Sequence, residues 1–151
     1  MTILLRRATE ADLELMFNWR NNPQVWKGFY SQSKENRALT WTEHIAWWQS
    51  RNKDWRTFII EYGKPVGVVT IGQLDYWEPE TGIYIETSLW SKGIGKEALL
   101  LTIKYIKDYG RKYTRTTILD NNERSKKLYL SLGFKKIGEA RPGESLYRKE
   151  L

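Results

Sequence analysis

Cysteine is absent from this sequence, and histidine occurs only once in its 151 residues. Without cysteine the chain cannot form a disulfide, an iron–sulfur site, a cysteine-ligated zinc site or a cysteine nucleophile. A single histidine cannot build a multi-histidine metal centre, so no metal is expected. The sequence also has no apolar run approaching about 18 residues, and no charged segment precedes an apolar one at its start. These absences predict a cytoplasmic protein.

Acidic residues are outnumbered by basic ones, 18 against 25, and the formal net charge is +7. A moderate positive excess favours anionic partners such as nucleic acid, an anionic membrane or a phosphorylated cofactor, and charge alone does not choose among them. No internal repeat, low-complexity run or linker rich in Gly, Ser or Pro divides the chain. We therefore expect a single domain over residues 1–151.

Hydrophobic periodicity and capping residues predict a mixed α/β fold. The predicted strands lie at 3–8, 57–62, 66–74, 81–87, 113–119 and, after residue 135, on both sides of the turn 141–143. Helices are predicted after the capping residues Thr9 and Thr40, after the glycines at 93 and 95, and from Glu123 to Leu132. Residues 23–39 show no clear period and are expected to form a long loop. The order βααβββαβαβ indicates a mostly antiparallel sheet flanked by helices.

The turn that follows the predicted strand 81–87 carries the clearest chemical signal. Gly93 and Gly95 let the backbone turn with its N–H groups exposed, and the helix that starts there adds the positive end of its dipole. Lys92 and Lys96 add positive charge on both sides. Such a turn favours a phosphate or pyrophosphate ligand.

Two general phosphate-binding motifs match this turn poorly. A Walker A loop needs Ser or Thr after Gly-Lys, whereas Glu97 follows here and the first glycine is missing. The spacing of Gly93, Gly95 and Ala98 formally matches the dinucleotide fingerprint. That fingerprint belongs to the first βαβ unit of a parallel sheet, and only about one further βα unit follows here.

The turn resembles the acetyl-CoA loop of the GCN5-related N-acetyltransferase (GNAT) superfamily, and the resemblance covers nearly the whole chain. The family's loop reads Gln/Arg-x-x-Gly-x-Gly/Ala after its fourth strand, and here Trp90 replaces the usual Gln or Arg and Ser91 a frequent Gly. This departure is similar to the RimJ/RimL branch, which acetylates protein N-termini. A second match is similar to the family's C-terminal cofactor motif: Asn122-x-x-Ser125-x-x-Leu128-Tyr129-x-x-x-Gly133-Phe134.

The resemblance implies direct transfer of an acetyl group from acetyl-CoA to a primary amine, which agrees with the absence of cysteine. It implies oxyanion donors on backbone N–H groups near Ile85 and Glu86, and Tyr129 as the acid that protonates the departing thiolate. The implied cofactor-binding residues are Ile85, Thr87, Lys92, Gly93, Ile94, Gly95, Lys96, Asn122 and Ser125.

The general base is less well indicated. An amine of pKa about 10 is mostly protonated at neutral pH, so a base must remove a proton before attack. Glu80, at the start of the family's fourth strand, and Glu86, nearer the loop, are the candidates, with a solvated strand end as the alternative for both. Related bacterial N-terminal acetyltransferases carry an acid on the fifth strand, where this chain has Thr117. A lone His such as His44 on a Trp-rich helix is more often a packing residue.

The acceptor side is suggested by the run Trp-Arg-Asn-Asn, which resembles the end of the first helix in RimJ/RimL-like and aminosugar acetyltransferases. The predicted acceptor-binding residues are Trp19, Arg20, Asn21, Phe29 and Tyr30. Arg20 could equally form a structural salt bridge, and the aromatic residues could cover the core. Core packing is predicted for the tryptophans at 41, 47, 48 and 55.

The acceptor itself stays open. A protein N-terminus is suggested by the Trp90 variant, and a small amine such as a nucleotide-linked aminosugar by the Trp-Arg-Asn element and the aromatic loop. The alternatives to an enzyme are a non-catalytic acyl-CoA-binding module and a basic nucleic-acid-binding domain. As an acetyltransferase the protein is expected to bind neither nucleic acid nor membrane, and exposed edge strands would allow a homodimer.

Overall fold

A computed structural model describes residues 1–51 and 54–151. The strands are β1 (Leu4–Arg7), β2 (Arg56–Glu61), β3 (Pro65–Gly72), β4 (Glu80–Ile85), β5 (Tyr113–Leu119), β6 (Lys135–Arg141) and β7 (Glu144–Glu150). The helices are α1 (Leu13–Arg20), α2 (Pro23–Trp26), α3 (Tyr30–Glu35), α4 (Trp41–Ser50), α5 (Ile94–Asp108) and α6 (Glu123–Ser131), with short 3₁₀ turns at Glu10–Asp12 and Thr87–Leu89. The strands form one sheet in the order β1-β2-β3-β4-β5-β7-β6. This architecture confirms the predicted mixed α/β fold.

The prediction of a long loop over residues 23–39 is wrong, because the segment contains α2 and α3. The side chain of Asn22 caps α2 by accepting the N–H of Gln24 at 3.0 Å, and Pro23 occupies the first helical turn. Val25 and Trp26 are buried and anchor the helix. Helices this short depend on tertiary packing, which a periodicity search along the sequence cannot detect.

Helix α4 begins as predicted but presents a different face to the core. Glu43 N–H donates to Thr40 Oγ1 at 3.1 Å and Thr40 N–H donates to the Glu43 carboxylate at 2.9 Å, which confirms the capping box. The expected inward position of Trp41 is wrong, since its side chain is 45% exposed. The buried residue of the helix is His44, whose Nε2 lies 2.8 Å from the carbonyl oxygen of Leu13.

Helices cover both faces of the sheet. On one face Leu99 of α5 and Tyr129 of α6 pack with Ile118 of β5. On the other face Met16 of α1 packs against Ile59 of β2 and the neighbouring strand β3. The buried positions of α5 recur at helical spacing, and they are Ile94, Ala98, Leu99, Thr102, Ile103 and Ile106. The sheet is therefore held between two helical layers.

The sheet opens between β4 and β5. These two strands run parallel, and the one backbone pair described between them joins Glu80 and Arg115. Farther along, the hydroxyl of Thr116 donates to the carbonyl oxygen of Thr81 at 2.8 Å and takes the place of a backbone ladder bond. The strands diverge toward their carboxyl ends, where backbone groups of β4 are left for a ligand. Strands β6 and β7 form an antiparallel hairpin, which confirms the closing strands predicted on both sides of the turn 141–143.

Candidate active site

Two adjoining cavities lie where β4 and β5 diverge. The loop cavity, of about 380 Å³, lies between β4, the α2–α3 segment and the start of α6. The Tyr129 cavity, of about 260 Å³, extends from Tyr129 toward Arg20 and the β6–β7 turn. Both are lined by Phe29, Ile83, Asn122 and Ser125. A ligand in one cavity therefore lies next to a ligand in the other.

The glycine turn leads the chain from β4 into α5. Gly93 has φ +83° and directly precedes the helix, and Ser91 also has a positive φ, of +62°. These left-handed residues turn the chain sharply, and the first N–H groups of α5 have no partner within the helix. Ile94 is buried with its side chain in the core, while Lys92 and Lys96 are exposed. The turn thus presents N–H groups and positive charge together.

Gly95 allows α5 to approach β4 closely. A Cβ at this position would lie 3.3 Å from Ile85 Cδ1 and 3.3 Å from Leu128 Cδ2. Both of those residues line the loop cavity. A side chain at Gly95 would therefore push on the walls of the cavity.

The direction of the β4 backbone groups decides which N–H groups are available there. Glu86 N–H donates to the carbonyl oxygen of Val66 at 2.9 Å, so it is already used in pairing with β3. Because N–H groups alternate in direction along a strand, those of Ile83 and Ile85 face the gap beside β5. The indole N–H of Trp90 donates to the Ile85 carbonyl oxygen at 2.9 Å from that same side. The Glu86 N–H is therefore not free to act as the predicted oxyanion donor, whereas the Ile85 N–H faces the gap.

Arg124 is a residue of this site that the sequence analysis missed. Its guanidinium carbon lies 3.3 Å from the ring centroid of Trp90, and both residues line the loop cavity. Burial lowers the pKa of Arg124 from its usual high value. Arg124 lies two positions after Asn122 in the second motif, and this position is the sequence feature that could have indicated its place in the site. The pair adds a cation and an aromatic face to the cavity.

Asn122 joins the two cavities. Its Oδ1 accepts the N–H of Ser125 at 3.2 Å and caps α6, so the cap occupies the amide oxygen. Its Nδ2 faces the α2–α3 segment, where a Cβ at Gly28 would lie 3.0 Å from it. The amide nitrogen is therefore the part of Asn122 that can bind a ligand.

Tyr129 lies deep in the second cavity. It is 3% exposed and packs edge-on against Phe134, with ring centroids 5.0 Å apart. Burial raises the pKa of the phenol, while the adjoining side chains of Thr116 and Thr81 oppose that effect in part. A raised pKa keeps the phenol protonated at neutral pH, which is the state that a proton donor needs.

Glu80 is the sequence-predicted base that the structure brings into the Tyr129 cavity. Within the described residues its carboxylate makes no salt bridge, and burial raises its pKa, opposed by the positive charge of Arg115. Glu86 lines neither cavity. His44 borders a third, smaller cavity beside Arg20, and burial lowers the pKa of its imidazole.

Arg20 is a partly buried cation without a carboxylate partner among the described residues. Its Nε donates to Gln32 Oε1 at 2.9 Å, and its guanidinium carbon lies 4.2 Å from the ring centroid of Phe29. Burial lowers its pKa, and the guanidinium lines the Tyr129 cavity. A structural salt bridge, one of the two roles considered from the sequence, is therefore excluded within the described chain. The free face of the guanidinium is available to an anion.

Comparison with known proteins agrees with this arrangement. The sequence matches the family model of the acetyltransferase (GNAT) domain over residues 2–135. The chain belongs to the GNAT family of acetyltransferases. It is 42% identical over 154 residues to protein MJ1062 of Methanocaldococcus jannaschii, a match that covers 99% of this chain and 31% of that protein. This acetyltransferase domain thus spans less than a third of that relative's length.

Solved structures share the fold over the whole chain. A domain from Methanocaldococcus jannaschii matches with a TM-score of 0.93 and 41% identity, covering 99% of both chains. Spermidine N-acetyltransferase from Vibrio cholerae, crystallised with CoA and spermine, matches with a TM-score of 0.81 and 17% identity, covering 99% of this chain and 94% of the other. At that identity the second match supports the GNAT fold alone.

The remaining residues predicted for the acetyltransferase site line neither cavity, and those of the glycine turn are Lys92, Gly93, Ile94, Gly95 and Lys96. Trp19 is buried in the core beside Met16, away from the cavities. Both side-chain atoms of Asn21 bond the backbone of Leu39 at 2.9 Å, so Asn21 fixes the connection to α4. Thr87 accepts a bond from Asn22 at 3.3 Å and stands outside both cavities. These residues support the walls of the site.

Two tryptophans differ from the prediction of core packing, for opposite reasons. Trp41 is exposed, as described above. Trp55 lines the Tyr129 cavity, and it lies so close to β3 that a Cβ at Gly72 would be 2.5 Å from its ring. Trp55 is therefore a wall of the site that the sequence did not indicate.

Residues 1–51 and 54–151 contain neither a candidate metal site nor a candidate membrane span. No group of three or more His, Asp or Glu side chains is placed there to hold a metal ion. None of the helices described combines the length and apolar character that a membrane crossing requires.

Proposed function

We propose that this acetyltransferase moves an acetyl group from acetyl-CoA to the primary amine of a small acceptor that carries an anionic group, such as a nucleotide-linked aminosugar. The observation that carries this proposal is Arg20, a partly buried guanidinium that lines the Tyr129 cavity and has no carboxylate partner in the described chain. Partial burial of an unpaired cation costs free energy, and an anionic group of the acceptor offsets that cost.

The loop cavity fits the acyl donor. N–H groups at the start of α5, with Lys92 and Lys96 nearby, suit a pyrophosphate. Arg124 adds positive charge to the lining of the cavity. The thioester of bound acetyl-CoA supplies the acetyl group, and the chain's own residues supply the binding and proton transfer.

Proton removal from the incoming ammonium is assigned to Glu80. Its carboxylate lines the Tyr129 cavity and has no salt-bridge partner in the described chain. Burial raises the pKa of Glu80, which makes its carboxylate a stronger base than that of an exposed glutamate. The neutral amine that results carries the lone pair that attack on the acetyl carbon requires.

Stabilisation of the oxyanion is assigned to backbone groups of β4, and protonation of the departing thiolate is assigned to α6. The N–H groups of Ile83 and Ile85 face the gap and can donate to the developing oxyanion. Tyr129, whose raised pKa keeps the phenol protonated, lines the Tyr129 cavity and can donate its phenolic proton to the departing thiolate. Direct transfer in this form needs no covalent acyl-enzyme.

The Tyr129 cavity, which we assign to the acceptor and call the acceptor cavity, combines a cation with aromatic walls. Phe29, Tyr30 and Trp55 line it together with Arg20. Aromatic faces suit a sugar ring or a nucleobase, and a guanidinium suits a phosphate. A protein N-terminus, the other acceptor considered, rested on Trp90. That residue lines the loop cavity and bonds Ile85, so its role concerns the donor side of the site.

A thiol-release assay with acetyl-CoA tests the proposal. The amines compared are glucosamine, glucosamine 6-phosphate, UDP-glucosamine, spermidine and a peptide with a free N-terminus. We expect rates to rise from glucosamine to its phosphorylated and nucleotide-linked forms. Faster reaction with spermidine or the peptide than with either anionic aminosugar would overturn the proposed acceptor class. No measurable thiol release with any of the amines would favour a non-catalytic module.

Arg20→Met is expected to raise the KM for UDP-glucosamine by about 10- to 100-fold, because a charge-assisted pair with the phosphate is lost. The KM for glucosamine, which has no anionic group, should change little. Steady-state kinetics with both amines measures the contrast. Arg37→Met is the matched control, since Arg37 is exposed and pairs with Glu43 outside the cavities. An equal loss for both amines would assign Arg20 a structural role.

A further inference from the structure

Glu144, at the start of β7, is a buried carboxylate in the acceptor cavity for which the reaction described so far has no use. It is 4% exposed and lines the same cavity as Glu80 and Tyr129. Its Oε1 accepts from Nε and Nη2 of Arg141, at 2.9 Å and 2.7 Å. Within the described chain its second oxygen accepts no hydrogen bond. That oxygen is available to a ligand.

Strand register places the side chains of Glu144 and Thr117 on the same face of the sheet. Thr117 pairs with Leu146 and Leu119 pairs with Glu144 between β5 and β7. Because side chains alternate along a strand, Glu144 lies on the same face as Thr117, one diagonal step away. Thr117 and Glu144 both line the Tyr129 cavity, so β7 brings a carboxylate beside the end of β5.

Several charged or titratable groups surround Glu80. Those that act on it or line its cavity are Arg115 of β5, Arg141 of β6, Glu144 of β7, Tyr129 of α6, Arg20 of α1 and Tyr30 of α3. Glu144 and the arginines act on Glu80 in opposite directions, since a like charge raises the pKa of a carboxyl and a positive charge lowers it. The ring of Tyr30 holds the guanidinium of Arg141 at 3.8 Å and so fixes the place of the Arg141–Glu144 pair.

We propose that Glu144 is a positioning residue of the acceptor site, which holds the acceptor's ammonium group beside Glu80 for removal of its proton. The proposal rests on the proposed function. In the step, an N–H bond of the ammonium breaks and an O–H bond forms at Glu80, and nitrogen keeps the electron pair. The proton goes to Glu80, and Glu144 only accepts a hydrogen bond from the ammonium through the oxygen that Arg141 does not bind.

An NMR titration tests the effect of Glu144 on Glu80 without any acceptor. Protein labelled with ¹³C at the glutamate carboxyl carbon is titrated, and the Glu80 signal is identified by its loss in Glu80→Gln. Glu144→Gln should move the Glu80 midpoint to lower pH by about one unit, since a like charge is removed. Arg141→Met should move it to higher pH. Glu139→Gln, an exposed position on β6, is the control and should leave it unchanged.

Kinetics with UDP-glucosamine tests the positioning of the amine. Glu144→Gln should raise the KM for the amine by about tenfold with a smaller loss in kcat, and should move the acid limb of kcat/KM to lower pH. Glu144→Asp should restore part of the loss. Should Glu144→Gln fail to fold, the titration of Arg141→Met and Glu144→Asp decides the question.

The two proposals fail in different ways. A wild-type protein that is inactive with every amine of the panel would overturn the proposed function. The NMR titration would still measure the effect of Glu144 on the titration midpoint of Glu80. An active wild type with Glu144→Gln indistinguishable from Glu139→Gln in both measurements would overturn the role of Glu144 and leave the proposed function standing.

Discussion

Tyr129→Phe is expected to lower kcat by on the order of 100-fold while the affinity for acetyl-CoA stays nearly constant. The substitution removes one hydroxyl and keeps the ring that packs against Phe134. Without the phenol the thiolate must leave without a proton donor, and this costs energy in the transition state but not in the ground state. Steady-state kinetics gives kcat, and calorimetric titration gives the acetyl-CoA dissociation constant.

Tyr147→Phe is the matched control for Tyr129→Phe. Tyr147 is 4% exposed and belongs to the same core cluster, but it lines neither cavity. Removal of the Tyr147 hydroxyl should leave kcat within about twofold of the wild-type value. If both substitutions lowered kcat and acetyl-CoA affinity alike, Tyr129 would be a core residue and the thiolate would need another proton source.

Gly95→Trp is expected to abolish measurable binding of acetyl-CoA, with a dissociation constant raised by about 100-fold or more. Even a Cβ at Gly95 would contact Ile85 and Leu128 at 3.3 Å, and an indole must go farther into the loop cavity. Calorimetric titration measures the loss, and thermal unfolding shows that the variant is folded.

The control for the glycine substitution is Gly138→Trp on β6. A Cβ there would have no atom within 4 Å, so the same bulky residue can be placed outside the site. Acetyl-CoA binding by Gly138→Trp should match the wild type. Wild-type affinity in a folded Gly95→Trp variant would remove the glycine turn from the donor site.

Signals that lie close together along the chain predicted much of this protein. The capping box at Thr40 and the meander of β2, β3 and β4 depend on residues a few positions apart, and both are present. The two glycines at 93 and 95 and the cap at Asn122 are also local features. Their backbone angles and caps follow from the residue types at those positions.

Features that arise from distant parts of the chain were missed or misassigned. Trp55 was expected in the core but lines the acceptor cavity. Glu86 was expected to donate its N–H to the oxyanion, but the pairing of β4 with β3 uses that group. The α2–α3 helices depend on the burial of Val25 and Trp26. None of these contacts produces a periodic or spaced pattern in the sequence.

By itself the sequence determined the absence of thiol chemistry, the glycine turn, the second motif and the order of most elements. Only the tertiary structure decided the composition of the acceptor cavity. Arg20 at the end of α1, Glu80 at the start of β4 and Glu144 at the start of β7 meet there. Backbone turns are decided by neighbouring residues, whereas a cavity is decided by how distant strands pair and where two of them part.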